Sequence, residues 1–277
     1  MKCIVLSDQS RGHGLKGQSG SSLYLEVEDR KILVNLGSDD AAFRNAESLG
    51  VDLSLVDTVV ITGGLNTLGG GLSYLKNTDA LKEVILAKDC FKPRTRTMGL
   101  IKKQVGLDAS IVKNLEDKVK YIEEDYVVDT NITVLMAKNI TENVDGNIAS
   151  KQYRVGSESR NDNYDDEIIL VVKEWNKLNV FAGSPRVGIL NVVNYVDSIY
   201  KMPIHGFVAG FEMRRSIYSQ AKRPSIYQIE QMAQSMISQS VGTYYSLSTT
   251  GKKAFAFLSM WLDNRLLALK TGDQIEL

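Results

Sequence analysis

Residues 59–75 read V-V-I-T-G-G-L-N-T-L-G-G-G-L-S-Y-L, and this stretch decides the fold. It begins with a β-branched apolar run, which predicts a buried strand. A loop with five glycines follows, and the apolar segment after it predicts a helix that begins within 68–75. Glycines at a strand-to-helix junction let backbone N–H groups approach a ligand closely. The stretch is therefore typical of an anion-binding or catalytic loop.

Composition bounds the class of protein. The chain has 277 residues, 43% of them hydrophobic, which is enough for a buried core. Lys+Arg and Asp+Glu both number 33, and a formal net charge of zero disfavours nucleic-acid and membrane-surface partners. We expect no membrane span, because no run of about 18 apolar residues occurs. Two cysteines cannot build a disulfide framework, and no signal-peptide core precedes Asp8, so we expect a cytoplasmic protein.

Hydrophobic patterning predicts one α/β domain over residues 1–277. Hairpins and strands come first, strand–helix alternation follows, and the second half shows the same order of elements. Residues 98–105 predict a short helix, and a capping box at Ser225 and Gln228 begins a longer one. Residues 139–166 are rich in Asn, Asp, Ser and Gly without a clear period, so we expect an irregular surface excursion there.

Short motifs along nearly the whole chain resemble those of a known family. They are I-L-V-N-L-G at 32–37, N-A-E-S-L-G at 45–50, D-L-S at 52–54 with Asp57, G-G-L at 70–72, Asp166-Glu167 with Val171-Val172, residues 183–191, A-G-F-E-M at 209–213 and S-T-T-G at 248–251. With these motifs the chain resembles the metallo-β-lactamase fold, and within it the dihydropterin/aminobenzene-phosphate synthase-like group of metal-dependent hydrolases. The resemblance implies an α+β four-layer αββα sandwich, with mixed β-sheets and helices on both outer faces.

The positions at which that family carries metal ligands hold other residue types in this chain. Histidines are replaced by Gly63, Leu65, Leu68, Arg186, Glu212 and Ser248, an aspartate is replaced by Thr67, and Asn35 stands for the aspartate of a D-T-G motif. A hydrolytic zinc site needs about three His, Cys or carboxylate ligands, and leucine cannot serve as one. The resemblance therefore implies the fold with its metal site lost, so we expect no metal, no cofactor and no dizinc hydrolysis.

Other candidate metal ligands are few. The chain has two histidines, His13 and His205, and neither stands in a motif with ligand spacing. A loop position and a strand start are the favoured interpretations of the two. An oxygen-ligand site for a hard cation, built from Asp39, Asp40 or Glu212, is the minor alternative.

A metal-free pocket for a small phosphate- or carboxylate-bearing anion is the functional hypothesis. Arg186 would bring a fixed cation to the place where a metal once neutralised such a group. The expected ligand-binding residues of this former active site are Gly63, Gly64, Asn66, Thr67, Ser184, Arg186, Glu212, Ser248 and Thr249. The favoured alternative is an internal salt bridge between Arg186 and Glu212, because a buried unpaired arginine is unfavourable.

The sequence is therefore consistent with two classes of function. The first is a non-catalytic pseudoenzyme that binds a small anion or a protein partner, with homo-oligomerisation left open. The second is a metal-dependent hydrolase or synthase that acts on a phosphate-bearing or ester substrate through an atypical site. A basic set could contact nucleic acid or an acidic partner, but a solvated loop is favoured for it and for Lys92, Arg94 and Arg96. The set comprises Arg214, Arg215, Lys222 and Arg223, with Tyr218 and Tyr227 nearby.

Overall fold

Strands dominate the computed structural model, which describes residues 1–98, 100–150, 153–156, 160–214 and 224–277. The strands are β1 (Lys2–Ser7), β2 (Ser22–Val27), β3 (Arg30–Val34), β4 (Thr58–Val60), β5 (Glu83–Ala87), β6 (Arg94–Met98), β7 (Ile101–Gln104), β8 (Val119–Ile122), β9 (Tyr126–Asp129), β10 (Ile132–Met136), β11 (Tyr153–Val155), β12 (Arg160–Asn161), β13 (Ile168–Glu174), β14 (Lys177–Gly183), β15 (Ile204–Ala209), β16 (Val241–Ser246), β17 (Leu266–Ala268) and β18 (Gln274–Glu276). The helices are α1 (Ala41–Leu49), α2 (Asn66–Gly69), α3 (Ile189–Tyr200), α4 (Ile226–Ser238) and α5 (Lys252–Leu262). Within the described ranges, no helix has the length and apolar character needed to cross a bilayer.

The main strands form two seven-stranded sheets of mixed direction. The first has the order β18-β1-β2-β3-β4-β5-β8, and the second has the order β17-β16-β15-β14-β13-β10-β9. In each sheet, antiparallel hairpins lead into a parallel run, from β3 to β8 in the first and from β14 to β17 in the second. Parallel neighbours need crossover connections, and these connections carry the five helices of the described residues.

Apolar side chains on both faces of each sheet produce four layers. Val5 and Val34 of the first sheet share a buried cluster with Leu170 and Val208 of the second, so the sheets pack face to face. Helix α1 covers the outer face of the first sheet through Ala46. Helices α3, α4 and α5 cover the outer face of the second sheet. The layer order is αββα, which confirms the predicted α+β sandwich.

A third sheet, with the order β12-β11-β6-β7, corrects two predictions from the sequence. The helix predicted over 98–105 is wrong, because β6 and β7 pair as an antiparallel hairpin there. A short apolar run cannot by itself distinguish a helix from a strand, and cross-strand pairing decides the outcome. The segment 139–166 is not irregular throughout, since β11 pairs with β6 and β12 pairs with β11.

The glycine-rich stretch contains less helix than predicted. Helix α2 has four residues and continues as a 3-10 helix over Gly70–Tyr74. The glycines bring this segment against the end of β3, where the Gly71 N–H donates to the Gly37 carbonyl at 3.0 Å. A Cβ at Gly71 would lie 2.5 Å from the carbonyl oxygen of Leu36. Close packing of backbone on backbone therefore explains a glycine at this position.

Candidate functional site

The loop after β4 turns its side chains toward two environments. Leu65 and Leu68 are 2% and 3% exposed and belong to the apolar cluster outside the first sheet. Asn66 and Thr67, two of the predicted ligand-binding residues, are exposed at the start of α2. The leucines thus pack as core residues at positions where the resemblance expects metal ligands, and Asn66 and Thr67 lie at the surface.

Arg186 is the centre of a buried cluster of charges. It follows β14 and is 0% exposed. Its guanidinium pairs with Asp166, with Asp162 at 2.8 Å (Nη1 to Oδ2) and with Glu167 at 2.8 Å (Nε to Oε1). The main chain also holds Glu167, because the N–H groups of Arg186 and Val187 donate to its carboxylate at 2.7 and 3.1 Å.

Arg94 supplies a second guanidinium to this cluster. Its Nη2 lies 2.8 Å from Oδ1 of Asp166, and the side chain is 1% exposed. Its Nη1 also donates to the carbonyl oxygens of Cys90 and Lys92, and its Nη2 to that of Asp89, at 3.0–3.2 Å. The prediction that Arg94 belongs to a solvated basic loop is wrong, because β6 begins at this residue and places its side chain inside. We refer to Arg94, Asp162, Asp166, Glu167 and Arg186 as the charge cluster.

Gly64 joins the glycine loop to the charge cluster. Its N–H donates to Oδ2 of Asp166, so the loop does bind an anion, and that anion is a carboxylate of the same chain. A Cβ at Gly64 would lie 2.0 Å from the carbonyl oxygen of Cys90 and 2.6 Å from Nη1 of Arg94. A Cβ at Gly63 would have more room, with Cδ1 of Leu68 at 3.2 Å.

The pKa of a carboxylate in the charge cluster depends on how many guanidinium groups it pairs with. Burial raises the pKa of Asp166, but Arg186, Arg94 and the Gly64 N–H outweigh it and hold that pKa below its ordinary value. Burial prevails at Glu167, which pairs with one guanidinium, and raises its pKa to about 7. With all groups ionised, two guanidiniums face three carboxylates and the formal sum is −1. The cluster thus has no surplus positive charge for a further anion.

Glu212 is not the partner of Arg186 that the sequence suggested. Tyr153 stands between the two, with its ring centroid 5.6 Å from Cζ of Arg186 and its hydroxyl donating to Oε2 of Glu212 at 3.5 Å. Glu212 is 8% exposed and has a φ of 50°. The charge of Arg186 is instead matched by Asp162 and by the Asp166-Glu167 pair.

The remaining predicted residues form a group of hydroxyls. The side-chain oxygens of Ser184 and Thr249 are 3.0 Å apart, and Gly210 packs against both. Ser248 donates its hydroxyl to Oδ1 of Asp8 at 2.7 Å and its N–H to Oδ2 at 3.2 Å. Asp8 is 1% exposed and was missed by the sequence analysis. The available signal was its position directly after the buried strand β1.

The residues present do not fit a divalent metal of the kind that the fold family implies. In the described part of the chain, no group of three or more His, Cys, Asp or Glu could hold a metal ion. His13 and His205 are exposed. Asp39 accepts an N–H at the start of α1, and Asp40 pairs with Arg44. The three carboxylates of the charge cluster are each paired with a guanidinium, which would repel a cation.

A cavity of about 1030 Å³ opens beside Ser248. The cations Arg214, Lys252 and Lys253 line it, and no acidic side chain does among the residues that the structure describes. Much of the remaining lining is apolar and includes Phe255. Arg214 is thus the member of the predicted basic set at this cavity, and Tyr227 is exposed. The members outside the described residues are Arg215, Tyr218, Lys222 and Arg223.

Comparisons with known proteins address the fold. No family model matches the sequence. An uncharacterized protein of Methanocaldococcus jannaschii is 24% identical over 212 residues, which cover 76% of this chain and 78% of that protein. The crystal structure of Tm1679, a metal-dependent hydrolase of the β-lactamase superfamily, matches with a TM-score of 0.82 and 24% identity over 100% of this chain and 99% of Tm1679. Zinc-bound PqqB from Methylobacterium extorquens matches with a TM-score of 0.57 and 10% identity over 100% of both chains.

At these identities the likeness is one of fold, and it agrees with the layers described above. The match to Tm1679 spans the two sheets and the helices on both sides, because it covers 100% of this chain. The resemblance in short motifs and the likeness in three dimensions point to the same architecture. The chain has the metallo-β-lactamase fold.

Proposed function

We propose that this chain is a degenerate, metal-free protein of the metallo-β-lactamase fold that binds a small anionic ligand and does not carry out metal-dependent hydrolysis. The charge cluster carries the proposal, because Arg186 stands where the resemblance expects a metal-binding histidine. Its guanidinium is buried and engages three carboxylates of the same chain. A cation of higher charge at the same place would be repelled by Arg186 and Arg94.

The closer resemblance to the dihydropterin/aminobenzene-phosphate synthase-like group, with its ligands lost, is part of this proposal. The packing of the glycine loop supports it. Leu65 and Leu68 are embedded in the outer apolar cluster, and Gly64 is pressed against the Cys90 carbonyl. Histidines at 65 and 68 would bring polar rings into that apolar cluster, so the present residues stabilise a closed interior in place of an open metal site.

The cavity beside Ser248 is the favoured place for the anion. Arg186 and Arg94 are matched by three carboxylates and are therefore committed to structure. Lys252 and Lys253 line a space without acidic side chains among the described residues. The first turn of α5 adds N–H groups and the positive end of a helix dipole at the same point.

Metal content and anion binding together test this function. We expect elemental analysis to find far less than one zinc, iron or manganese per chain, both as purified and after incubation with each metal. We expect pyrophosphate to raise the melting temperature with EDTA present. At about ten times its Kd, a ligand adds about 1.4 kcal/mol of stability, which for a chain of this size corresponds to a shift of about 3–6 °C.

The alternative, an atypical metal-dependent hydrolase, gives the opposite result. Stoichiometric metal, together with hydrolysis of bis(p-nitrophenyl) phosphate that EDTA abolishes, would overturn the proposal. An unchanged melting temperature with pyrophosphate, phosphate, acetate and longer carboxylates would remove the anion-binding part.

A further inference from the structure

We propose that the cavity beside Ser248 binds an amphiphilic anion, namely an acyl or aryl chain that ends in a carboxylate or a phosphate. The inference rests on the proposed function and adds the chemical class of the ligand. At about 1030 Å³, the cavity lies at the upper end of the range of about 300–1,000 Å³ seen for small-molecule sites. An inorganic anion would leave most of this space to water.

The cavity lining includes the cationic start of α5. Lys252 and Lys253 open α5, whose first turn has no acidic residue and no side-chain cap. The main chain of Arg214 packs against the same helix start, because a Cβ at Gly251 would lie 3.3 Å from the Cα of Arg214. Cations at a helix N-terminus oppose the helix dipole, and a bound anion would reverse this unfavourable arrangement. The charged group of the ligand belongs at this end.

The rest of the cavity is suited to hydrocarbon. Its lining includes the buried side chains of Met213, Leu247 and Leu269, which are 4%, 2% and 5% exposed. Phe255 and Phe257 also line it and are only partly buried on α5. An apolar chain would remove the partly exposed rings of Phe255 and Phe257 from water, which a polar metabolite could not do. Lysines at the start of α5 together with an apolar lining complement an anion that carries an apolar body.

Calorimetric titration of the whole protein with simple amphiphiles, below their micelle concentrations, tests the ligand class. The series is acetate, octanoate, decanoate and dodecanoate, with dodecyl phosphate, dodecanol and dodecyltrimethylammonium as further arms. We expect affinity to rise about fourfold for each methylene that becomes buried, the equivalent of its transfer free energy. Both anionic dodecyl compounds should bind at least tenfold more tightly than the alcohol or the cation. The stronger of the two identifies the headgroup as carboxylate or phosphate.

A pair of charge reversals tests the place of binding. In the variant Lys252→Glu/Lys253→Glu, dodecanoate and dodecyl phosphate should bind at least tenfold more weakly. Acidic residues at a helix start are favourable, so the free variant should melt no lower than the parent. The matched control Lys76→Glu/Lys113→Glu makes the same change in net charge at exposed positions outside the cavity lining. It should leave binding within twofold of the parent.

Each outcome separates this inference from the function on which it rests. If acetate and pyrophosphate bind as tightly as the dodecyl anions, the anion-binding function stands and the amphiphile inference is overturned. The inference also fails if dodecanol matches dodecanoate, or if the reversal at α5 changes affinity no more than the control does. If no anion binds at all, both proposals fall. A stoichiometric metal with hydrolytic activity overturns the function whatever the titrations show.

Discussion

Arg186 holds a full positive charge where the side chain is 0% exposed. Its surroundings make that arrangement stable. Three carboxylates hold the guanidinium, and two main-chain N–H donors hold the carboxylate of Glu167. An ion pair of this kind contributes little when compared with an apolar core, yet breaking it from one side is strongly unfavourable. The guanidinium is therefore a structural requirement of the present interior.

We expect Arg186→Leu to lower the free energy of unfolding by about 3–5 kcal/mol, the range for removing one partner from a buried pair. The substitution would leave three buried carboxylates with Arg94 as the remaining cation of the charge cluster. Urea unfolding followed by circular dichroism measures the loss.

Arg44→Leu is the matched control for this experiment. Arg44 pairs with Asp40 on the surface of α1, and its side chain is 59% exposed. An exposed pair contributes about 0–1 kcal/mol, so the control should stay close to the parent. An equal loss in both variants would show that the buried carboxylates do not depend on Arg186.

The sequence could identify Arg186 as the replacement for a ligand, but not its partners. Asp166 and Glu167 were recognised within a motif, whereas Asp162 lay in a segment without periodicity and Arg94 resembled a solvated loop residue. Ion-pair partners depend on which strands and turns meet in space. Arg94 and Asp166 are 72 residues apart and meet at 2.8 Å. No local pattern reports a contact of that kind.

At the scale of elements, the glycine loop after β4 is tied to the 3-10 turn after β5 and to the charge cluster. Gly64 touches both, through the Cys90 carbonyl and through its own N–H on Asp166. A Cβ added at the preceding residue, Gly63, would have side-chain atoms as its nearest neighbours, the closest at 3.2 Å. The two neighbours thus differ in how much backbone must move to admit a methyl group.

We expect Gly64→Ala to destabilise the protein by about 1–3 kcal/mol, the usual cost of overpacking. The added Cβ would lie 2.0 Å from a carbonyl oxygen, and a backbone atom cannot rotate away. Gly63→Ala is the matched control and should have the smaller effect, because the Leu68 side chain can adjust. Chemical denaturation of both variants makes the comparison. A Gly63→Ala variant as unstable as Gly64→Ala would contradict this account of the loop.

Sequence periodicity predicted the strands of the two main sheets better than it predicted the third sheet. Strands β13 and β14 are largely buried, β13 is rich in β-branched residues and a tight turn joins the two, so local signals suffice. The hairpin β6–β7 begins with alternating Arg and Thr and is completed by β11, which is about 50 residues away in sequence. Its strand character comes from that distant pairing, and a helix was therefore the wrong prediction from local pattern alone.

The dependence of stability on pH is a property of the whole molecule. The pKa shifts in the charge cluster decide whether the stability rises or falls as the pH increases. Burial raises the pKa of Glu167 from 4.5 to about 7 in the folded chain, so the folded state binds this proton more tightly than the unfolded state does. Stability is then greatest below the unfolded pKa and falls as pH rises from about 4.5 to about 7. The pKa of Asp166 is shifted in the opposite direction, so Asp166 stabilises the folded state at higher pH. That stabilisation is lost only as the pH falls below 3.8, the ordinary pKa of an aspartate.

We expect the melting temperature to fall between pH 5 and pH 8, with roughly 3 kcal/mol of stability lost through Glu167. Glu167→Gln mimics the neutral side chain and should flatten this part of the profile. The remaining ionisable groups are the same in both proteins, so the difference between the two profiles isolates Glu167. Scanning calorimetry from pH 4 to pH 8 supplies the measurement. Parallel profiles for parent and variant would show that Glu167 does not titrate there.

The two sheets of the sandwich are synthesised at different times. Apart from β18, the first sheet is complete at Ile122, whereas the second is drawn from residues 126–268. At about 5–20 residues per second, a ribosome needs on the order of 10 s to deliver the remaining chain after β8. Over that interval the inner face around Val5 and Val34 has no partner sheet to cover it. A growing chain of this architecture therefore exposes apolar surface during synthesis, and slower translation after β8 would lengthen the period in which it can aggregate.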